Sequence, residues 1–157
     1  AGANIINDIS GGMLDEKMHE TVARLNVPYI LMHMQGAPQN MQENPSYADV
    51  TKEVYSFFEE QLTKLYSMGI SRVIIDPGFG FGKTVEHNKE LLNNLARFEQ
   101  LDCPILVGLS RKSFVNKIMN INSLDSINGT IELNKIALKN GATILRVHDV
   151  KEAVCLS

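Results

Sequence analysis

The sequence predicts an α/β fold built around a parallel β-sheet, and three features of its 157 residues support this prediction. Five short runs of Ile, Leu and Val recur, and each is nearly continuous, as in strands that are covered on both faces. Longer segments with helical periodicity separate the runs. Polar residues follow every run, which is the layout of a (β/α)8 barrel with its site at the C-terminal ends of the strands. A doubly wound sheet also binds ligands at strand ends, but it concentrates them at one point.

The predicted elements alternate along the whole chain without a linker or an internal boundary, so residues 1–157 belong to one domain. The runs that predict strands are residues 4–7, 29–32, 73–76, 105–108 and 144–147. Apolar residues at three- and four-residue steps predict helices over residues 15–25, 54–68, 86–98 and 126–140. Gly69 and Gly141 mark helix ends. Residues 35–49, with two prolines and several Asn and Gln, predict a long loop.

Composition argues against several classes of function. The net charge of −3 gives no indication of a basic face for nucleic acid, and no apolar run approaches the ~18 residues of a membrane helix. Cys103 and Cys155 are too few and too far apart for a disulfide framework or a zinc site, so we expect reduced thiols and a cytoplasmic protein. His33, after the second run, is interpreted as packed and hydrogen-bonded rather than catalytic. No set of His and Cys has the spacing of metal ligands.

The segment from Asp76 to Thr84, DPGFGFGKT, is the most informative of the strand ends. A Walker A loop would need glycine at position 77, which is Pro77, and a dinucleotide-binding loop would need glycine at position 83, which is Lys83. Neither nucleotide-binding motif is therefore present. The alternating glycines instead predict a loop whose backbone approaches a ligand closely. Asp76 is either a helix cap or, since it follows a buried strand, a carboxylate that accepts hydrogen bonds from the amino-pyrimidine edge of a ligand.

The last two strand ends supply further candidates. Lys112 and Ser113 follow the fourth run, where they either form a surface turn or bind a carbonyl or carboxylate near a helix N-terminus. Arg146 and His148 follow the fifth run, and their types suit an anion such as a diphosphate. Asp149 beside them either orients His148, caps the last helix or forms a structural pair with an arginine.

Together these motifs resemble dihydropteroate synthase. Five motifs in register carry the resemblance, at residues 4–12, 31–36, 76–83, 108–113 and 146–150. The resemblance implies a (β/α)8 TIM barrel of the pterin-binding type and the condensation of 6-hydroxymethyl-7,8-dihydropterin diphosphate with 4-aminobenzoate in folate biosynthesis. It also implies the residues that bind each substrate: the pterin at Asn7, Met32, Asp76, Gly80, Lys112 and Arg146, the diphosphate at Arg146 and His148, and the aminobenzoate at Phe81, Lys112 and Ser113. Of these, Asp76, Lys112 and Arg146 are expected to act in catalysis as binders and electrostatic stabilisers.

The matching motifs are those of the fourth to eighth βα units of that barrel. We therefore expect residues 1–157 to form a partial barrel of strands 4–8, truncated at both ends and inactive alone. The resemblance implies Mg²⁺ as cofactor, with its protein ligand in the first three units and no metal ligand in this chain. It further implies small-molecule substrates, a homodimer in the full enzyme and a target of sulfonamides.

Three alternatives remain open from the sequence. The first is the pterin-binding domain of a corrinoid-dependent methyltransferase, which would not be expected to carry the motifs at residues 110–113 and 146–149. The second is a non-catalytic pterin-binding module. The third is a P-loop protein, which the residue types at Pro77 and Lys83 argue against.

Overall fold

Residues 2–122 and 126–156 are described by the structure, which is a computed structural model of the chain. Helical segments separate successive strands in this part of the chain, as the sequence predicts. The strands are β1 (Ile6–Asp8), β2 (Tyr29–Met32), β3 (Val73–Asp76), β4 (Leu106–Val107) and β5 (Ile144–Leu145). The helices are α1 (Met18–Leu25), α2 (Val50–Ser67), α3 (Val85–Asn93), α4 (Ser113–Met119), α5 (Ser126–Lys139) and α6 (Val150–Val154), and a 3₁₀ segment (Leu95–Leu101) follows α3.

The strands pair in parallel and follow one another in chain order. β1, β2 and β3 form one ladder, β4 and β5 form a second, and a parallel bridge between Ile75 and Ile105 joins the two. A doubly wound sheet reverses its strand order at one point, whereas this order continues in one direction, as in a barrel. Met32 pairs with Asp76, so strand ends that carry candidate residues are neighbours in the sheet.

An apolar core joins the strands to the helices that cover them. Leu31, Ile75 and Val107 of three neighbouring strands are each 0% exposed, and they belong to one cluster with Phe58 of α2 and Phe98 of the 3₁₀ segment. The two phenyl rings meet edge to face, with centroids 5.9 Å apart. Burying each of these side chains contributes ~1.5–3 kcal/mol, so the core holds the strand ends in a fixed arrangement.

Local side-chain hydrogen bonds explain where the two helices next to the site begin. α2 starts where the Asp49 carboxylate accepts the Lys52 amide at 2.8 Å, and it ends before Gly69, whose φ is +80°. α3 starts with a capping box, in which Thr84 and His87 each satisfy the other's backbone N–H. These caps fix the positions at which the loops after β2 and β3 end.

The predicted helix over residues 86–98 is wrong in its second half, because α3 ends earlier and a 3₁₀ segment follows it. The Asn94 side chain donates to the Glu90 carbonyl at 2.9 Å, and this carbonyl also accepts an α-helical bond. α1 also starts later than predicted, because the Asp15 carboxylate accepts the amide of Lys17 within a turn.

The loop between β2 and α2 includes residues 35–49, as the sequence predicts. Among residues 2–122 and 126–156, no helix has the length and apolar character that crossing a lipid bilayer requires.

Candidate active site

The carboxylate of Asp76 lies at the centre of the candidate site, at the C-terminal end of β3. Its side chain is 1% exposed, and Oδ1 accepts the Gly78 amide at 2.9 Å. Oδ2 lies 2.8 Å from Nη2 of Arg146, in an ionic contact whose angles are outside those of a hydrogen bond. Water screens this pair in part, because the Arg146 side chain is 41% exposed although the carboxylate is buried, and Oδ2 makes no hydrogen bond to the described residues. Oδ2 therefore retains the capacity to accept hydrogen bonds from a ligand.

Arg146 connects three strand ends. It follows β5 and lies over Gly108 at the end of β4, where an added Cβ would lie only 2.8 Å from Nη2. Nη1 donates to Oδ1 of Asn7, on β1, at 3.4 Å. The first and last strands of the sheet thus come close enough to share a side-chain contact, which requires the sheet to curve as it does in a barrel.

Lys112, the residue that precedes α4, extends its side chain into the same region. Its Nζ donates to the Phe79 carbonyl at 2.5 Å and lies 4.7 Å from the centre of the Phe81 ring. Burial lowers the pKa of Lys112 to about 8; the Asp76 carboxylate opposes this shift and the Arg146 guanidinium adds to it. Lys112 is therefore a cation near its titration point, held on the glycine-rich loop.

The glycine-rich loop is packed against the neighbouring loop, which gives two of its glycines a role that the sequence did not predict. The alternating glycines were expected to let backbone approach a ligand. In the structure, an added Cβ on Gly78 would lie 1.9 Å from the His33 carbonyl oxygen, and one on Gly82 would lie 2.5 Å from the Gln35 carbonyl oxygen. An added Cβ on Gly80 would lie 3.3 Å from the Lys112 side chain. Two of the three glycines thus serve contact between the β2 and β3 loops.

Met32 and Phe81 form the apolar part of the site. Met32 is 1% exposed at the end of β2, where it pairs with Asp76 in the sheet register. Phe81 is half-buried, and its ring lies beside the Lys112 ammonium group. These side chains give the charged centre a flat apolar border.

Ser113 lies on the outer side of Lys112. It is the exposed first residue of α4, and with Gly80 it lines an open cleft of about 460 Å³ that is bordered by Gln42 and Lys117. The Gln42 side chain donates to the Gly80 carbonyl at 2.5 Å, so the long loop after β2 forms part of this cleft.

His148 and Asp149 both have partners at the end of β4 or just after it. The ring Nδ1 and the backbone amide of His148 both lie 3.1 Å from the hydroxyl of Ser110, a buried residue at the end of β4. Asp149 neither caps α6 through its side chain nor orients His148 by a hydrogen bond. It forms an ion pair with Arg111 at 2.5 Å, which makes it a structural partner of an arginine.

Lys83 was missed as part of the site, although it is the last residue of the glycine-rich motif. Its side chain is 3% exposed, and its Nζ lies 3.0 Å from Nδ1 of His33. His33 itself is packed and hydrogen-bonded, as predicted. Burial and then the Lys83 charge lower the pKa of His33 to about 2, so His33 is neutral near pH 7. In the sequence, only the run Gly82-Lys83-Thr84 could have indicated that Lys83 belongs to the site.

Asp8 organises the loop after β1 and was also not singled out. Its carboxylate accepts the Ser10 amide and hydroxyl at 2.8 and 2.7 Å, the Gly12 amide at 2.6 Å and the Tyr29 hydroxyl at 2.7 Å. Burial alone would raise the pKa of Asp8, but the hydrogen bonds outweigh it and lower the pKa. The backbone beside Asn7 is fixed by this buried network.

Comparison with known proteins identifies the family. A family model described as pterin binding enzyme matches residues 1–148. The chain belongs to this family. Dihydropteroate synthase of Escherichia coli strain K12 is 44% identical over 155 residues, which cover 98% of this chain and 55% of the relative.

Solved structures of two relatives resemble this chain over nearly its whole length. Yersinia pestis dihydropteroate synthase, in complex with a sulfonamide drug, is 40% identical with a TM-score of 0.91, over 99% of this chain and 57% of that one. Xanthomonas albilineans dihydropteroate synthase in complex with 7,8-dihydropteroate is 37% identical with a TM-score of 0.88, over 99% of this chain and 58% of that one. The resemblance inferred from the motifs is confirmed, and this chain spans a little over half the length of these relatives.

Proposed function

We propose that this chain supplies five βα units of a dihydropteroate synthase, those of strands 4–8 of its (β/α)8 barrel. The proposed reaction joins 6-hydroxymethyl-7,8-dihydropterin diphosphate to 4-aminobenzoate and releases diphosphate. The observation that carries the proposal is the convergence of Asp76, Arg146 and Asn7 at the strand ends, with Lys112 on the adjacent loop. The match to about half the length of the relatives supports a partial barrel, since barrels of this type take ~250 residues.

The pterin would bind at the buried carboxylate of Asp76. An amino-pyrimidine edge offers two N–H donors, and Asp76 is a buried acceptor with one backbone donor on Oδ1 and an ionic contact on Oδ2. Lys112 donates to a ring acceptor from the other side, and Arg146 stacks on the pterin face while it contacts Asn7. Met32 forms the apolar wall, and Gly80 leaves room beside Lys112.

The diphosphate would leave toward Arg146 and His148. In the reaction the C–O bond to diphosphate breaks, a C–N bond to the aminobenzoate amine forms, and the amine releases a proton. Positive charge develops at the carbon next to the electron-rich pterin ring and negative charge on the departing diphosphate. The guanidinium stabilises the departing charge without rearrangement, and Ser110 holds the His148 ring near the end of β4.

The aminobenzoate would lie on the outer side of the pterin, between Phe81 and α4. Phe81 provides a flat apolar face, and the Lys112 ammonium lies 4.7 Å from its centre. Ser113 contributes a hydroxyl at the mouth of the 460 Å³ cleft. The amine of aminobenzoate is a weak base and a competent nucleophile, so these side chains orient it rather than deprotonate it.

Magnesium enters the proposal from the family resemblance. Among residues 2–122 and 126–156, no group of three or more His, Cys, Asp or Glu comes together to hold a metal ion. Mg²⁺ commonly takes one or two carboxylates and the substrate phosphates, but Asp76 Oδ2 lies 2.8 Å from the Arg146 guanidinium, whose positive charge would repel a metal cation at the same oxygen. The described residues therefore do not fit a magnesium site. We assign its protein ligand to the first three βα units of the full enzyme and derive no step through it.

A homodimer of the full enzyme and a cytoplasmic location complete the proposal. The homodimer rests on the resemblance to dihydropteroate synthases. The free thiols of Cys103 and Cys155 are consistent with the reducing conditions of the cytoplasm.

Pterin binding by the chain tests the proposed site. A fluorescent pterin is titrated with the wild-type chain, with Asp76→Asn and with Asp102→Asn, which removes an exposed carboxylate elsewhere. We expect Asp76→Asn to weaken binding at least about 30-fold, because hydrogen bonds to a charged group contribute ~1.5–3 kcal/mol each. Asp102→Asn should bind as the wild type does. Equal pterin affinity in all three proteins would contradict the assignment of Asp76.

A further inference from the structure

Lys83 is a buried cation with a defined set of acceptors. Its Nζ lies 3.0 Å from His33 Nδ1, 3.1 Å from the Gly78 carbonyl oxygen and 3.1 Å from the Phe81 carbonyl oxygen. An ammonium group has three protons, and these three acceptors match them. An imidazole that accepts at Nδ1 carries its own proton at Nε2, and His33 stays uncharged because burial and then the Lys83 charge lower its pKa.

Burying the amino group of Lys83 is energetically unfavourable. Burial lowers the pKa of Lys83 to about 7, against the attraction of the Asp76 carboxylate and with a smaller effect from Lys112. A methionine of similar length would fill the same space without the cost of desolvating a charge. What lysine adds at this position is therefore its three hydrogen bonds.

Those hydrogen bonds close one turn of the glycine-rich loop. The Phe81 amide donates to the Gly78 carbonyl at 3.0 Å, and Lys83 bonds to the carbonyl oxygens at both ends of this turn. The turn points the Phe79 carbonyl outward, where it accepts the Lys112 ammonium. It also sets where the Phe81 ring lies. The position of both side chains thus depends on the turn that Lys83 closes.

We propose that Lys83 is a positioning residue, which ties the turn at residues 78–81 to β2 through His33 and thereby fixes Phe81 and Lys112 for the aminobenzoate. This inference rests on the proposed function for the identity of the ligand. The hydrogen bonds that carry it belong to the fold, so they can be tested without any substrate.

The first test examines the turn in the full chain. Hydrogen exchange of the Phe81 amide is compared by NMR in the wild type, in Lys83→Met and in Lys89→Met, which changes an exposed lysine of α3. We expect Lys83→Met to raise the exchange rate at least about tenfold, since losing charged hydrogen bonds of this kind costs more than 1.4 kcal/mol. Lys89→Met should leave it unchanged. An unchanged rate in Lys83→Met would overturn the proposal.

The second test needs only the wild type and so remains decisive if Lys83→Met does not fold. The ring nitrogens of His33 are observed by ¹⁵N NMR at pH 6.0, where Lys83 carries its proton. The expected state is a neutral ring with the proton on Nε2 and an accepting Nδ1. A proton on Nδ1, or a charged ring, would overturn the contact on which the proposal stands.

Ligand affinities separate positioning from a general loss of structure. The dissociation constants of a pterin probe and of 4-aminobenzoate, the latter in the presence of pterin and diphosphate, are measured for the same variants. We expect Lys83→Met to raise the 4-aminobenzoate constant about tenfold and the pterin constant by less, about threefold, because the pterin keeps its contact with Asp76 whereas the aminobenzoate depends on both Phe81 and Lys112. Equal weakening of both would contradict the proposal. If the wild type binds neither ligand, the proposed function fails, while faster exchange in Lys83→Met would still establish that Lys83 holds the turn.

Discussion

Gly78→Ala tests whether contact with the end of β2 holds the glycine-rich loop in place. Gly78 has φ +69°, and an added Cβ would lie 1.9 Å from the His33 carbonyl oxygen and 3.1 Å from its carbonyl carbon. The left-handed backbone alone costs alanine ~1–2 kcal/mol. The clash requires a backbone shift of ~1 Å or more, which would also break the Gly78 hydrogen bond to Asp76, a bond to a charged group worth ~1.5–3 kcal/mol. We therefore expect the free energy of unfolding to fall by ~3 kcal/mol or more.

Gly69→Ala is the matched control for this prediction. Gly69 has φ +80°, and an added Cβ there would have nothing within 4 Å. Gly69→Ala should therefore lower the free energy of unfolding by only the conformational cost of ~1–2 kcal/mol, because no clash is added. Urea unfolding followed by circular dichroism gives both free energies. In a thermal scan the Gly78 variant should melt ~6–12 °C below the wild type, at ~2–4 °C per kcal/mol for a chain of this size. Equal losses in the two variants would refute the argument that the loop is held by backbone contact with His33.

Three further predictions follow from the charged groups of the site. The pKa of His33 is lowered from 6.5 to about 2, so the unfolded chain takes up a proton below pH 6.5 while the folded chain does not. The contribution of neutral His33 to the free energy of unfolding is therefore fully present above pH 6.5 and decreases below it, by at most about 1.4 kcal/mol per pH unit. Urea titrations at pH 7.0 and 5.5 would measure this decrease. Lys112→Met should weaken pterin binding at least about tenfold in a calorimetric titration, because it removes a charged donor beside Asp76. Ser110→Ala should weaken the binding of inorganic diphosphate about three- to tenfold in the same assay, since it frees the His148 ring.

Each of these predictions has a control in the same chain. At pH 5.5, His33→Gln should lower the number of protons taken up on unfolding by about one, because the unfolded His33 is almost fully protonated there and the folded one is not. An identical pH dependence of stability in wild type and variant would contradict the lowered pKa of His33. Lys89→Met, on the exposed face of α3, is the control for Lys112→Met. Ser67→Ala, at an exposed position of α2, is the control for Ser110→Ala. If Lys112→Met bound pterin as tightly as Lys89→Met does, Lys112 would not belong to the pterin site.

The fold was largely predictable because the central strands β2, β3 and β4 are buried almost throughout. The continuous apolar runs placed β2 and β3 at the bounds that the structure has, Tyr29–Met32 and Val73–Asp76. The β1, β4 and β5 predictions were less accurate at their ends, because strand ends near the site are set by side-chain contacts rather than by apolar periodicity. The 3₁₀ segment after α3 was missed for the same kind of reason, since Asn94 competes for a backbone carbonyl.

The candidate site was predictable where a residue type alone implies its chemistry. A carboxylate after a buried strand and an arginine after the last strand led to Asp76 and Arg146, which form an ion pair. Lys83 could not be found in this way, because its partners are two backbone carbonyls and an imidazole that no sequence spacing reveals. The sequence left open a pair between Asp149 and an arginine, but it could not identify Arg111 as that arginine because 38 residues separate the two along the chain.

Formation of dihydropteroate tests the central claim most directly. Pterin diphosphate, 4-aminobenzoate and Mg²⁺ are incubated with this chain alone, and with this chain mixed with the first three βα units of the Escherichia coli relative. The account predicts product in the mixture, loss of that product with Asp76→Asn, and none from the chain alone. Turnover by the chain alone, or turnover in the mixture that Asp76→Asn leaves intact, would contradict a site divided between the two parts of the barrel.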